Sequence, residues 1–214
     1  MTTALHSLRQ RARAMRRATF ALLALAGSAQ AQPQDSALTL YGGYRDGGGL
    51  TDAASKRRLR LDSAGSVAAS IDLGLDGSRQ LQVYVAQQRT RLAIAPAAGA
   101  PTTLPLRISY LHLGGTSFFD GPIGAGPYVV GGLGATLFEP GLAGYSNALK
   151  PSLNLGLGWQ LALGARVALR LEARGYATLV NSSGGLFCSG GCTLQIEGDT
   201  LTQGEVQLGL SFRF

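Results

Sequence analysis

The last fourteen residues, 201–214, set the pattern for the chain. Val206, Leu208, Leu210, Phe212 and Phe214 fall on one side of an extended strand, and Gln203, Glu205, Gln207, Ser211 and Arg213 on the other. Successive strand side chains point to opposite faces, so such a segment needs an apolar medium on one side and a polar one on the other. The same two-residue period returns along the chain from Gln32. Strands are predicted over residues 37–45, 66–75, 81–93, 106–118, 126–138, 153–161, 167–180 and 201–214.

The sixth strand is sharp, with Leu153, Leu155, Leu157, Trp159 and Leu161 out and Asn154, Gly156, Gly158 and Gln160 in. The seventh sets Val167, Leu169, Leu171 and Ala173 against Arg170, Glu172 and Arg174. The third sets Leu81, Val83 and Val85 against Gln82, Tyr84, Gln88 and Thr90. In the fourth, Leu106, Ile108, Tyr110 and His112 share the apolar parity and Arg107 and Ser109 the polar one, although its far half is less regular. The fifth blurs at Gly131, Gly132 and Gly134.

Long connections (46–65, 95–105, 141–152, 181–200) alternate with short turns at Asp76-Gly77-Ser78, Asp120-Gly121-Pro122 and Gly164-Ala165, whose residues favour tight reversals. Alternating ten-residue segments joined by long and short links in strict rotation describe a transmembrane barrel. The expectation is an all-β, eight-stranded antiparallel up-and-down transmembrane β-barrel, closed so that no strand edge faces hydrocarbon. Both termini and the short turns then lie on the periplasmic side and the four long loops outside the cell. The rival is a secreted soluble barrel or sandwich, which must explain the uniformly large apolar face of the sixth and eighth strands.

The first thirty-one residues read differently. Arg9, Arg11, Arg13, Arg16 and Arg17 precede the apolar run 18–26, and Ala29-Gln30-Ala31 fits a small-x-small cleavage site. The run is about half the roughly 20 residues a spanning helix needs. Residues 1–31 are therefore expected to be a cleaved signal peptide and 32–214 the barrel domain, with Met1 or Met15 as the start. The Arg16-Arg17 pair also admits a twin-arginine reading, at odds with a barrel that must insert after export.

The leader changes the charge argument. The chain carries 19 basic and 12 acidic residues. Without the leader's five arginines, 14 basic residues face 12 acidic ones, a net charge of only +2. No basis for nucleic-acid binding remains.

The signal peptide, eight strands, loop rhythm and terminal Gly-Leu-Ser-Phe-Arg-Phe resemble the small eight-stranded outer-membrane proteins of Gram-negative bacteria, such as the barrel domain of outer-membrane protein A and the OmpX- and OmpW-like proteins. The resemblance covers essentially all of 32–214 and rests on pattern, not on an invariant motif. It implies the fold and hardly any activity. It also implies that Leu208, Leu210, Phe212 and Phe214 form a signal read by the barrel assembly machinery. No peptidoglycan-binding domain is expected after Phe214.

An eight-stranded barrel is just wide enough to be filled by side chains. Arg45, Asp72, Arg107, Arg170, Glu172, Arg174, Glu205 and Arg213 fall on the polar parity, so an interior charge network is expected. Register counting puts Arg45 opposite Glu205 within a residue or two, and Arg174 and Glu172 beside Gln207 and Gly209. Cys188 and Cys192 lie in an exported loop and are expected to form a disulfide; two thiols without His or carboxylate neighbours make a poor metal site. Neither metal nor cofactor is expected.

Lys56, Arg57, Arg58, Arg60, Arg89 and Arg91 are candidate contacts to lipopolysaccharide phosphates, since Arg binds phosphate in bidentate fashion. The bland reading is a solvated loop. Trp159, Tyr110, Phe212 and Phe214 suit the aromatic girdles at the membrane interfaces. His112 is the one histidine after the leader, and Ser109 and Ser117 are its nearby serines. Both are expected on the face opposite His112, so a Ser/His site is not assembled and a lipid-facing histidine is the expectation.

Three functions follow. The first is a monomeric, non-catalytic outer-membrane barrel, held among outer-membrane lipid and lipopolysaccharide, whose loops serve envelope integrity or surface interaction. The second is a porin-like narrow channel for small or hydrophobic solutes, for which the inward Gly156 and Gly158 leave room. The third is a lipid A-modifying enzyme, which needs a second catalytic group beside His112.

Overall fold

A computed structural model describes residues 35–51, 58–94, 102–119, 122–141, 146–180 and 200–214. The leader, Lys56, Arg57, the Arg58 side chain, Cys188 and Cys192 lie outside the described residues. Ten strands are described: β1 (Ala37–Arg45), β2 (Gly49–Thr51), β3 (Arg58–Leu61), β4 (Ala64–Gly74), β5 (Arg79–Ile94), β6 (Thr102–Phe118), β7 (Gly126–Pro140), β8 (Ala148–Ala162), β9 (Val167–Leu179) and β10 (Thr200–Arg213).

β1 pairs with β4 on one side and β10 on the other, and the sheet runs on through β9, β8, β7 and β6 back to β5. All these pairings are antiparallel, so eight strands close into an up-and-down barrel without an open edge. Alternation along each strand decides which residues face in. β10 buries Leu201, Gln203, Glu205, Gln207, Gly209 and Ser211 and exposes the residues between them.

Two expectations change. The connection after β1 is not wholly a loop: β2 and β3 form a small hairpin, and Leu59, Arg60 and Leu61 of β3 extend the sheet along Ile94, Ala93 and Leu92 of β5. The strands also run further toward the long loops than their sequence suggested. β6 begins at Thr102 and β8 at Ala148, so the second and third long connections are shorter than expected.

The larger correction concerns β6. Leu106, Ile108, Tyr110 and His112 face the interior, and Arg107 and Leu111 face out. The apolar residues of this strand are even-numbered up to Tyr110 and odd-numbered at Leu111 and Leu113, while inside and outside stay where they are; Phe118, at the strand's end, is again even-numbered and buried. Toward the long loops β6 is therefore apolar inside and polar outside. Toward the short turns it is the reverse.

At the turn end, Asp76 accepts the backbone N–H groups of Ser78 and Arg79, both at 2.9 Å, and the Arg79 Nε at 2.8 Å. This is the Asx geometry expected of Asp at a tight reversal. These donors, the Ser78 N–H foremost, hold the Asp76 carboxyl below the usual carboxylate range.

Candidate functional site in the barrel interior

Above a small apolar cluster at the turn end, formed by Phe118, Ile123, Tyr128 and Val130, the interior is polar to about Tyr110. Three ion pairs lie in it, each with both side chains at 0% exposure. Nearest the turn end, the Arg170 Nη1 donates to Asp72 Oδ2 at 2.9 Å. Asp72 also accepts Ser70 Oγ at 2.8 Å and Gln82 Nε2 at 2.7 Å. The remaining Arg170 donors reach Gln160 Oε1 at 2.6 Å, the Tyr41 hydroxyl at 3.2 Å and Gln80 Oε1 at 3.3 Å.

In the middle, Glu172 accepts from Arg174 Nε at 2.8 Å, the Tyr128 hydroxyl at 2.9 Å and Gln207 Nε2 at 2.7 Å. Arg174 also donates to Asn154 Oδ1 and Gln82 Oε1, and its guanidinium lies 3.8 Å from the Tyr84 ring centre. Gln82 thus ties the first pair to the second. Above it, Arg45 donates to Glu205 at 2.9 Å, and Ser66 and Tyr176 donate to the same carboxylate. The Arg45 guanidinium sits 4.8 Å and 4.5 Å from the Tyr110 and Tyr176 ring centres. Its Nε and Nη1 have no hydrogen-bond partner, and the ring faces supply the favourable contact instead. The Tyr84 and Tyr176 hydroxyls, 2.8 Å apart, join this layer to the middle one.

Space is closed as thoroughly as charge. Gly158 and Gly209 face inward, yet neither leaves a gap. A Cβ on Gly158 would lie 2.2 Å from the Tyr128 ring, and one on Gly209 would lie 2.5 Å from the Tyr41 ring. Each glycine is the seat of a tyrosine. Above Tyr110 the interior turns apolar: Leu61, Leu92, Leu104, Leu106, Ile108, Phe138, Val180 and Leu201 pack into a plug beneath the long loops.

Of the eight charges expected inside, six form this network: Arg45, Asp72, Arg170, Glu172, Arg174 and Glu205. Arg45 and Glu205 are direct cross-strand partners. The β9 register differs from the expected one by one inward position, with Glu172 beside Gln207 and Arg170 beside Gly209. The other two are corrections. Arg107 is 43% exposed on the outer wall and lies 3.8 Å from Glu139; the parity reversal of β6 put it on the wrong side of the sequence reading. Arg213 lies at the turn end, where its Nη2 donates to the Gly164 carbonyl at 3.2 Å. It follows the last inward residue, Ser211, and is half-buried instead of filling the interior.

Two further expectations fall with the same reversal. Tyr110 is buried among Arg45, His112 and Tyr176 and belongs to no girdle. Trp159, Phe212 and Phe214 do face outward, as do Leu208 and Leu210. His112 is buried, with Nε2 3.0 Å from Ser152 Oγ. A Ser/His pair therefore exists, but with a serine of β8 that sequence proximity did not offer. His112 Nδ1 has no partner, so no acid orients the ring. Among the described residues no cluster of His, Cys, Asp or Glu could hold a metal, and no helix is long and apolar enough to cross a membrane. Arg60, Arg89 and Arg91 are exposed on the outer wall.

No protein-family model matches the chain, and no curated protein matches its sequence. Solved structures do match its fold. Neisserial surface protein A is 16% identical with a TM-score of 0.51, covering 84% of this chain and 97% of its own. The outer membrane protein OprG from Pseudomonas aeruginosa is 10% identical with a TM-score of 0.51, covering 85% and 97%. At such identities the likeness speaks for architecture, and the architecture is that of the small eight-stranded outer-membrane barrels.

Proposed function

We propose that this chain is an integral outer-membrane β-barrel without catalytic activity, sealed along its axis, and that it acts through its outer wall and its long loops in envelope integrity or surface interaction. One observation carries this reading: the interior holds three fully buried, mutually linked ion pairs and, above them, an apolar plug. Of the inward glycines that favoured a channel, Gly158 is filled by the Tyr128 ring, and a Cβ on Gly156 would meet the Ala173 carbonyl at 2.7 Å and the Val130 side chain at 3.1 Å.

The outward face supports the membrane setting. Leu155, Leu157, Trp159, Leu171, Leu208 and Leu210 form part of an apolar belt that water would penalise and hydrocarbon accepts. Residues 1–31 act as the export signal, the short turns and both ends of 32–214 face the periplasm, and the long loops face outward. Cys188 and Cys192 form a disulfide in the last of these loops. The C-terminal alternation ending in Phe212 and Phe214 addresses the barrel assembly machinery. A monomer suffices, because closure leaves none of the eight barrel strands an edge to pair.

The test is conductance in a planar bilayer, with heat-modifiable gel mobility as proof of folding. A folded barrel that gives no discrete steps is the expected outcome. Reproducible steps would replace this reading with the channel. Absence of catalysis is checked separately: lipid A recovered from cells with and without the protein should carry the same acyl chains.

A further inference from the structure

The outer wall of β5 and β6 changes character within two residue pairs. Val85 and Leu111 are direct partners and face outward in the apolar belt. The next outward pair is Gln87 and Ser109, joined by a hydrogen bond of 3.4 Å. The pair beyond is Arg89 and Arg107. Arg91 follows on the same face, and Arg60 of β3 stands outward beside Ala93.

Like charges directly opposite each other on neighbouring strands destabilise a sheet. Among the described residues the pair is relieved by one carboxylate, Glu139, at 3.8 Å from Arg107. Such an arrangement fits a surface that meets an anion. Its height names the kind of anion. Arg89 lies four residues beyond Val85, about 13 Å along the strand at ~3.3 Å per residue. For a strand tilted about 40° this is roughly 10 Å of height, which brings the guanidiniums to the lipid headgroups.

An independent feature lies directly below. A shallow groove of about 490 Å³ lies across β4, β5 and β6, lined on the outer wall by Val67, Ala69 and Val85, with Gln87 and Ser109 at its upper edge. It exists because Ala69 is small where the outward positions around it carry Val67, Ile71 and Val85.

We infer that this wall is a binding site for one lipopolysaccharide molecule, with lipid A phosphates on Arg89 and Arg107 and an acyl chain in the groove. This rests on the membrane-barrel reading above. Each guanidinium can hold a phosphate through two parallel N–H donors. Two of them side by side suit a headgroup that carries two phosphates on one disaccharide better than a phospholipid with one. Arg91 and Arg60 add positive charge at the rim.

The test titrates the folded, detergent-solubilised protein with bis-phosphorylated lipid A and, separately, with phosphatidylglycerol, counting bound lipid by native mass spectrometry. One tightly bound lipid A is expected, with phosphatidylglycerol about tenfold weaker. Losing two charge-assisted contacts, each worth about tenfold, should weaken lipid A binding roughly a hundredfold in R89S/R107S. Filling the groove with Ala69→Phe should also weaken it, and Arg79→Ser at the turn end should change nothing. The Lys pair R89K/R107K, which keeps charge but not the bidentate fork, should fall between. Unchanged binding in R89S/R107S or in Ala69→Phe overturns the site. Equal binding of phosphatidylglycerol overturns lipopolysaccharide as its occupant. Heat-modifiable mobility is read in every sample. A chain that shows none in plain detergent refutes the barrel, not the lipid site.

Discussion

Two halves of one wall obey opposite rules. Toward the turn end, β5 and β6 place Val83, Val85, Leu111 and Leu113 outside and Gln82, Tyr84 and Thr116 inside. Toward the loop end the same strands place Arg89, Arg91, Arg107 and Thr103 outside and Leu92, Leu104, Leu106 and Ile108 inside. The backbone and its alternation are continuous through both. What changes is the medium outside. Hydrocarbon accepts leucine and leaves the interior as the place for charge; water accepts arginine and leaves the interior as the place for leucine. The lower half is held by paired charges above a small apolar cluster at the turn end, and the upper half by a conventional apolar core.

The comparison can be broken from several sides. The largest effect belongs to the buried pairs. Asp72→Asn leaves Arg170 buried without its counter-charge, a loss of about 3–5 kcal/mol in unfolding free energy. Arg107→Gln on the outer wall, removing a pair whose arginine is 43% exposed, should change the unfolding free energy, read by urea titration, by no more than ~1 kcal/mol. Equal shifts would mean that the interior pairs are hydrated. In the apolar plug, Ile108→Ala removes fully buried methyl groups and should cost about 2–5 kcal/mol. A negligible shift there would show that the upper interior is not a packed core.

Where the rule reverses can be located by charge insertion. Leu111→Arg places a cation in the apolar belt and should cost about 2–4 kcal/mol, whereas Ser109→Arg, one outward position higher, should cost about 0–1. Similar costs at both positions would move the boundary. The smallest effect is expected at the turn between β4 and β5, outside both halves. The folded Asp76 carboxyl titrates below its unfolded value. Its contribution is therefore present above the unfolded pKa of about 3.9 and lost as pH falls through the lower folded value. Asp76→Asn should lower the midpoint slightly at pH 7, and the two proteins should converge in strong acid. A difference that persists there would remove the carboxylate as its cause.

Most of the fold was legible because strand alternation is local. β8 and β10 lie in the apolar belt along most of their length, so one rule reads them from end to end. β6 was misread because it crosses from one medium to the other, and the parity of its apolar residues changes at Tyr110 and Leu111. The less regular far half of that segment was the visible trace of the crossing. Misplacing this one strand misplaced Arg107, Tyr110 and His112 together. The candidate site was legible where partners are strand neighbours, as Arg45 and Glu205 are. It was not legible where partners meet across the barrel. Asp72 and Arg170 stand on β4 and β9, with β1 and β10 between them, and no register links them.

By itself the sequence determined that this chain is an eight-stranded barrel with a polar parity, a belt and an aromatic C-terminus. Those properties follow from a period of two and from turn chemistry, both carried by adjacent residues. Closure decided the rest: which carboxylate meets which guanidinium, that tyrosines occupy the glycine positions, that a serine from β8 meets His112, and that two arginines share one patch of outer wall. These depend on which side chains a closed cylinder brings to the same height. Height is set by stagger around the ring, which no single strand contains.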